Sequence, residues 1–166
     1  MTRIAALVAT VMTIGAALAG TDDAPVQPVP FSHKSHAGML GLPCTKCHTN
    51  PDPGELMTFP ALATCMECHA VLKAESPHIQ TVASAAERGE SLDWRRVYEI
   101  PGYVYFSHRA HLGAGAQCAT CHGAVSEQER LFREGDISMT GCMNCHLESA
   151  ASLDCAYCHE PFDATY

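Results

Sequence analysis

All ten cysteines of this 166-residue chain fall in C-x-x-C-H pentapeptides, a usage that constrains the fold more than any other feature. The five copies are Cys44-Thr45-Lys46-Cys47-His48, Cys65-Met66-Glu67-Cys68-His69, Cys118-Ala119-Thr120-Cys121-His122, Cys142-Met143-Asn144-Cys145-His146 and Cys155-Ala156-Tyr157-Cys158-His159. A lone C-x-x-C also suits a zinc knuckle or a thioredoxin-like redox pair, and a disulfide framework would suit an exported chain. None of these gives a reason for a fixed two-residue gap followed every time by histidine, which is the attachment signature of a c-type haem. The two cysteines add across vinyl groups as thioethers, and the adjacent histidine is held where its imidazole can bind the iron from one face. The expectation is five covalently attached haem c groups. Cys44, Cys47, Cys65, Cys68, Cys118, Cys121, Cys142, Cys145, Cys155 and Cys158 would attach them, and His48, His69, His122, His146 and His159 would be the proximal iron ligands.

The chain has ten histidines, so His33, His36, His78, His108 and His111 remain. Spare imidazoles and irons match one to one, as bis-histidine ligation requires. Four of the five stand in a duplicated element, Phe31-Ser32-His33-Lys34-Ser35-His36 and Phe106-Ser107-His108-Arg109-Ala110-His111, each followed by a pentapeptide. An i, i+3 pair shares one face of a helical turn, so one short element can ligate two neighbouring haems. His78 stands outside the repeat, at the expected start of a helix, where positive partial charge favours the neutral, iron-binding imidazole. It is either the fifth distal ligand or a surface histidine, in which case Met139 or Met57 is the substitute. A His/Met haem would have a raised potential.

Arg3 precedes an apolar run from Ile4 to Ala19 that closes on Ala17-Leu18-Ala19, a small-x-small cleavage site. Residues 1–19 read as a signal peptide, which implies a periplasmic protein. The competing reading is an uncleaved N-terminal anchor, for which the run is short of the about 20 residues that span a bilayer. Eighteen acidic side chains against ten basic ones give a formal charge of −8, and removing residues 1–19 takes away only Arg3 among them, leaving −9. Such a field repels nucleic acid and favours encounter with a basic patch on a partner, or simply keeps the chain soluble.

Long periodic helices and alternating strands are scarce, while Gly, Pro and Cys number 12, 10 and 10. The expected fold is mainly α with much irregular coil and little or no β-sheet, the polypeptide wrapping around closely packed haems that serve as its core. Residues 20–30, with Pro25, Pro28 and Pro30, read as an extended leader. Residues 31–90 form a first module with two haems and a linker helix, in which Ser76 and Pro77 are the start signals and Ile79, Val82, Ala83 and Ala86 recur at helical spacing up to Gly89. Residues 91–166 form a second module with three haems. The recurrence of F-S-H-x-x-H, then two pentapeptides, makes an internal duplication. Cys155–His159 is the added site, close in sequence to the fourth. Trp94, Tyr98, Tyr103 and Tyr105 precede the second repeat and pack either over haem faces or in ordinary contacts.

The F-x-H-x-x-H element ahead of a C-x-x-C-H resembles the class III multihaem cytochromes c over most of the chain beyond residue 19, which implies their small multihaem cytochrome c fold. The stretch from Trp94 to His111 is similar to the haem subunits of quinone-linked membrane complexes, among them alternative complex III and the menaquinone reductase complex. In class III cytochromes the first histidine of the element ligates the haem of the next pentapeptide and the second reaches a different haem. The resemblance therefore implies that His33 pairs with His48 and His108 with His122. His36 and His111 would serve two of the haems held by His69, His146 and His159.

These readings point to a periplasmic electron carrier of a respiratory chain, without catalytic residues, that exchanges single electrons with donor and acceptor proteins. The alternative is a permanent haem-wire subunit of a quinone-linked membrane complex, with membrane contact only through partners or an uncleaved N-terminus. A multihaem reductase is the third class. It needs an open iron and therefore an idle spare histidine.

Overall fold

The computed structural model describes residues 24–159. The expected export segment, residues 1–19, lies outside them. Among the described residues the regular structure is helical: α1 (Leu62–His69), α2 (Pro77–Glu87), α3 (His108–Gly113), α4 (Cys118–His122), α5 (Met139–Glu148) and α6 (Cys155–Cys158), with a π-helical turn at Lys34–Met39 and 3-10 turns at Cys44–Lys46 and Val125–Glu127. No β-sheet forms among them. A single antiparallel bridge joins Val104 to His159. The fold is thus mainly α with coil, as the composition implies.

The longest helix, α2, begins where the sequence places it. Ser76 is its N-cap and Pro77 its first residue, a position where the missing proline N–H costs nothing. It ends in a Schellman arrangement: Gly89, at φ +67°, donates to Ala86 O and Glu90 donates to Ala85 O. Val82 and Ala85 are buried, and together with Leu62 of α1 and Val29 they form the apolar cluster of the chain. Cys65, Met66, Leu92 and Trp94 pack around it. Residues 24–30 have an irregular backbone yet are pinned to the body. Gln27 exchanges two hydrogen bonds with the Arg95 backbone, and Arg130 donates to Ala24 O at 2.8 Å.

Elsewhere the polypeptide has almost no interior of its own. The buried apolar residues among those described are Ala24, Val29, Leu62, Val82 and Ala85, while Met39, Leu40, Leu147 and Tyr157 are more than two-thirds exposed. So little buried apolar surface cannot offset the conformational entropy of ordering so long a chain. The exposed apolar faces among the described residues are left for a bound group or partner to cover.

Each H-x-x-H turn is held by a loop from the other half of the chain. Lys34 N donates to Gln128 O at 3.0 Å, and the Lys34–Met39 turn packs on Val125–Glu127 so closely that a Cβ on Gly38 would collide with the Ser126 carbonyl. In the reciprocal direction Arg109 N donates to Gly54 O at 2.9 Å, and Arg109 pairs with Asp52 at 2.6 Å.

Candidate functional site

The duplicated element builds the same local geometry twice. The Ser32 hydroxyl accepts from Ser35 N at 3.0 Å, and the Ser107 hydroxyl accepts from Ala110 N at 3.2 Å, each closing the turn that carries the histidines. Phe31 lies edge-on to His33 at 4.9 Å and stacks on His36 at 4.4 Å. Phe106 repeats this with His108 at 4.8 Å and His111 at 4.6 Å. One phenyl ring per repeat therefore fixes two imidazoles.

The imidazole tautomers follow from backbone contacts. The Nδ1 atoms of His36, His48, His69, His108, His111 and His146 lie 2.7–2.8 Å from the carbonyls of Ser32, Thr58, Leu72, Glu55, Ser107 and Ser152 respectively. A carbonyl can only accept, so each Nδ1 carries the proton and each Nε2 presents its lone pair outward. This is how metal-ligating histidines are oriented by their second ring nitrogen. Burial, then His48 and His36, lowers the pKa of His33 to about 4, and burial, then His108 and His48, lowers that of His122. His33 is thereby held neutral, in its ligand form.

Four pairs of imidazoles face one another. His33 and His48 have ring centroids 6.5 Å apart with planes at 12°, and His108 and His122 are 6.4 Å apart at 6°. His36 and His69 are 6.1 Å apart at 54°, and His111 and His146 are 6.0 Å apart at 42°. Two imidazoles trans on one metal have centroids about 6.2 Å apart, given metal–nitrogen bonds of about 2 Å and a ring radius of about 1.1 Å. All four spacings fit an iron between the rings. Without a bound metal such a gap between parallel rings would be too wide for contact, so the donor set suits haem.

The cysteines fall into neighbouring groups. Burial raises the Cys118 thiol, followed by Cys44, with which it shares a hydrogen bond. Burial likewise raises Cys65, with Cys47 beside it, and Cys121, with Cys145 beside it. Cys142, raised by burial, has Cys121 and Cys158 as neighbours. These shifts place Cys44 near Cys118, Cys47 near Cys65, Cys121 near Cys145 and Cys142 near Cys158. The pentapeptides sit on α1, α4, α5, α6 and the 3-10 turn at Cys44–Lys46.

His78 stands apart. Nine of the ten histidines are half-buried, whereas His78 is exposed on the first turn of α2 and faces no other imidazole among the described residues. Met139 opens α5 and is 64% exposed. Met57 lies between Glu55 and Thr58, whose carbonyls hold His108 and His48. His159 has Tyr103 near it, at 6.0 Å and 30°.

Tyr98 is a residue the sequence did not single out as a site member. Its hydroxyl donates to His122 O at 3.1 Å and accepts from Glu134 N and Gly135 N at 2.9 and 3.2 Å, while its ring lies edge-on to His122 at 4.5 Å. Phe31 and Phe106 belong with it. Their recurrence just ahead of the H-x-x-H pair was the available signal, whereas an isolated tyrosine gives none.

Multiple C-x-x-C-H segments on short helices, with paired imidazoles at iron spacing and little protein core, define a multihaem c-type cytochrome. The chain belongs to the class III cytochrome c family: residues 11–93 match the class III cytochrome C family and residues 104–161 match cytochrome c7 and related cytochrome c. Its role in that family is electron transfer, with covalently bound haem c. It is also 35% identical to the menaquinone reductase, multiheme cytochrome c subunit, of Nitratidesulfovibrio vulgaris, over 81% of this chain and 77% of that one.

Proposed function

We propose that this protein is a five-haem wire on the exported, periplasmic side of a quinone-linked membrane oxidoreductase complex, carrying single electrons and performing no bond chemistry. The observation that carries the reading is the four facing imidazole pairs at iron spacing, which supports a row of five attachment sites in the order second, first, third, fourth, fifth. When bound, haem c supplies a one-electron ferric/ferrous couple. The chain's own residues hold it in place. Cys44 near Cys118 would bring the first and third sites together, and Cys142 near Cys158 would bring the fourth to the fifth. The carbonyls of Thr58 and Glu55 fix His48 and His108, so that little reorganisation accompanies a change of charge at the metal.

The complex is favoured by the relative from Nitratidesulfovibrio vulgaris, which is a subunit of a menaquinone reductase. A second reading, a freely diffusing carrier, is favoured by the acidic balance of the chain. Tagged chain from detergent-solubilised native membranes separates the two. The first reading expects co-purification with a quinol-oxidising membrane partner, full reduction by menaquinol and five covalent haems by intact mass. Recovery of haem-loaded chain alone from the soluble fraction, with no reduction by menaquinol, would contradict it.

A further inference from the structure

Five irons require ten axial positions, and the imidazole pairs fill eight of them, with His159 as the ninth. The last histidine is His78. It lies on α2, which packs against α1 through Val82 and Leu62, and α1 carries the second attachment site. His78 is exposed there, whereas the aromatic ring beside His159 is Tyr103, and no imidazole faces His159 among the described residues.

The two methionines are no better placed. Met57 is set between carbonyls that hold His48 and His108, members of pairs already complete. Met139 begins the helix whose His146 already faces His111. The ring near His159 is Tyr103, held there by the Val104–His159 bridge and by the Tyr105 N to Cys158 O bond of 2.8 Å. A phenolate bound trans to an imidazole would set the two centroids about 7 Å apart, with metal–ligand bonds of about 2 Å. The observed 6.0 Å is shorter, so Tyr103 packs beside the site without ligating.

We propose that the fifth iron, held by Cys155, Cys158 and His159, has no second ligand among the described residues and keeps an exchangeable sixth position, open to small ligands: diatomic π-acceptors when ferrous, small anions when ferric. The inference rests on the five-haem reading. Its basis is that the duplicated unit brings its own pair of imidazoles, whereas the added pentapeptide brings only one histidine.

The test is carbon monoxide titration of the haem-loaded, reduced full chain by optical difference spectra, beside quantified electron paramagnetic resonance of the oxidised form. One carbon monoxide per five haems, a high-spin ferric share of one in five, and no change in either with H78A are expected. H33A, which opens the first site, should raise uptake to two. Five haems that are all low-spin and take up no carbon monoxide would overturn the inference. So would an added binding site in H78A, a methionine-to-iron charge-transfer band, or a phenolate-to-iron band lost in Y103F. A chain carrying no covalent haem would instead overturn the five-haem reading itself.

Discussion

The duplicated units and the C-terminal fifth site solve the same problem with different completeness. In each duplicated unit a phenylalanine, a serine-capped turn and two histidines arrive together with two pentapeptides, and the rings meet at 6.0–6.5 Å. The fifth site has its two cysteines and His159 on a four-residue helix, capped by the Asp154 side chain accepting from Ala156 N at 3.0 Å, with a tyrosine nearby. On the proposed reading, the repeat unit rather than the pentapeptide completes a coordination sphere. The pentapeptide would attach the group, and the H-x-x-H turn would supply the second imidazole to its iron.

The comparison breaks most visibly if the turn histidines are removed. H36A should open the second site and H111A the fourth, each adding one carbon-monoxide-binding, high-spin haem per chain to that already expected from the fifth, as read by difference spectroscopy. Equal behaviour of the two variants would show that the repeats are functionally equivalent. Next in size, F106A should cost about 2 kcal/mol of stability, less than the usual penalty for a buried phenylalanine because the ring is only half-buried. F31A should lose a similar amount. Thermal unfolding of the haem-loaded proteins compares them, and a large difference would mean that the phenyl rings do different work in the two modules.

Y98F belongs to the second module alone and sharpens the contrast between the first and third sites. It removes a hydroxyl that bridges His122 O to Glu134 N and Gly135 N, which should cost about 1–2 kcal/mol in denaturant unfolding while leaving the ring against His122. The smallest effect should come from D52N. Its ion pair with Arg109 clamps the second turn onto the first module but is exposed, so a loss of about 0.5 kcal/mol is expected, shrinking further at high salt.

The ten cysteines are proposed as attachment residues because thioether chemistry demands a fixed spacing, and the helix at Pro77 was legible because its cap, first residue and terminating glycine all sit in the chain itself. The partners of the first histidine in each repeat, His48 and His122, were implied by the family likeness. Those of His36 and His111 were left open in the sequence, because the choice among His69, His146 and His159 depends on how α1 and α5 pack. The carbonyls that orient the imidazoles were invisible, since every residue has one and only the fold selects Thr58, Glu55 or Ser152. The hold of each half of the chain on the other's turn was hidden for the same reason: Gly38 reads as an ordinary turn glycine until Ser126 lies against it.

The inner and outer pairs also differ in a way that tests the whole arrangement. Planes at 12° and 6° in the first and third sites would let both imidazoles donate into the same d orbital of a bound iron and split it from its partner. Planes at 54° and 42° in the second and fourth leave those orbitals closer in energy. Quantified electron paramagnetic resonance of the fully oxidised, haem-loaded protein reads this directly. Two equal low-spin populations, one rhombic and one with a large maximal g value, together accounting for four haems, are the expected result. A single kind of low-spin signal, or fewer than four low-spin haems, would contradict the paired-imidazole row.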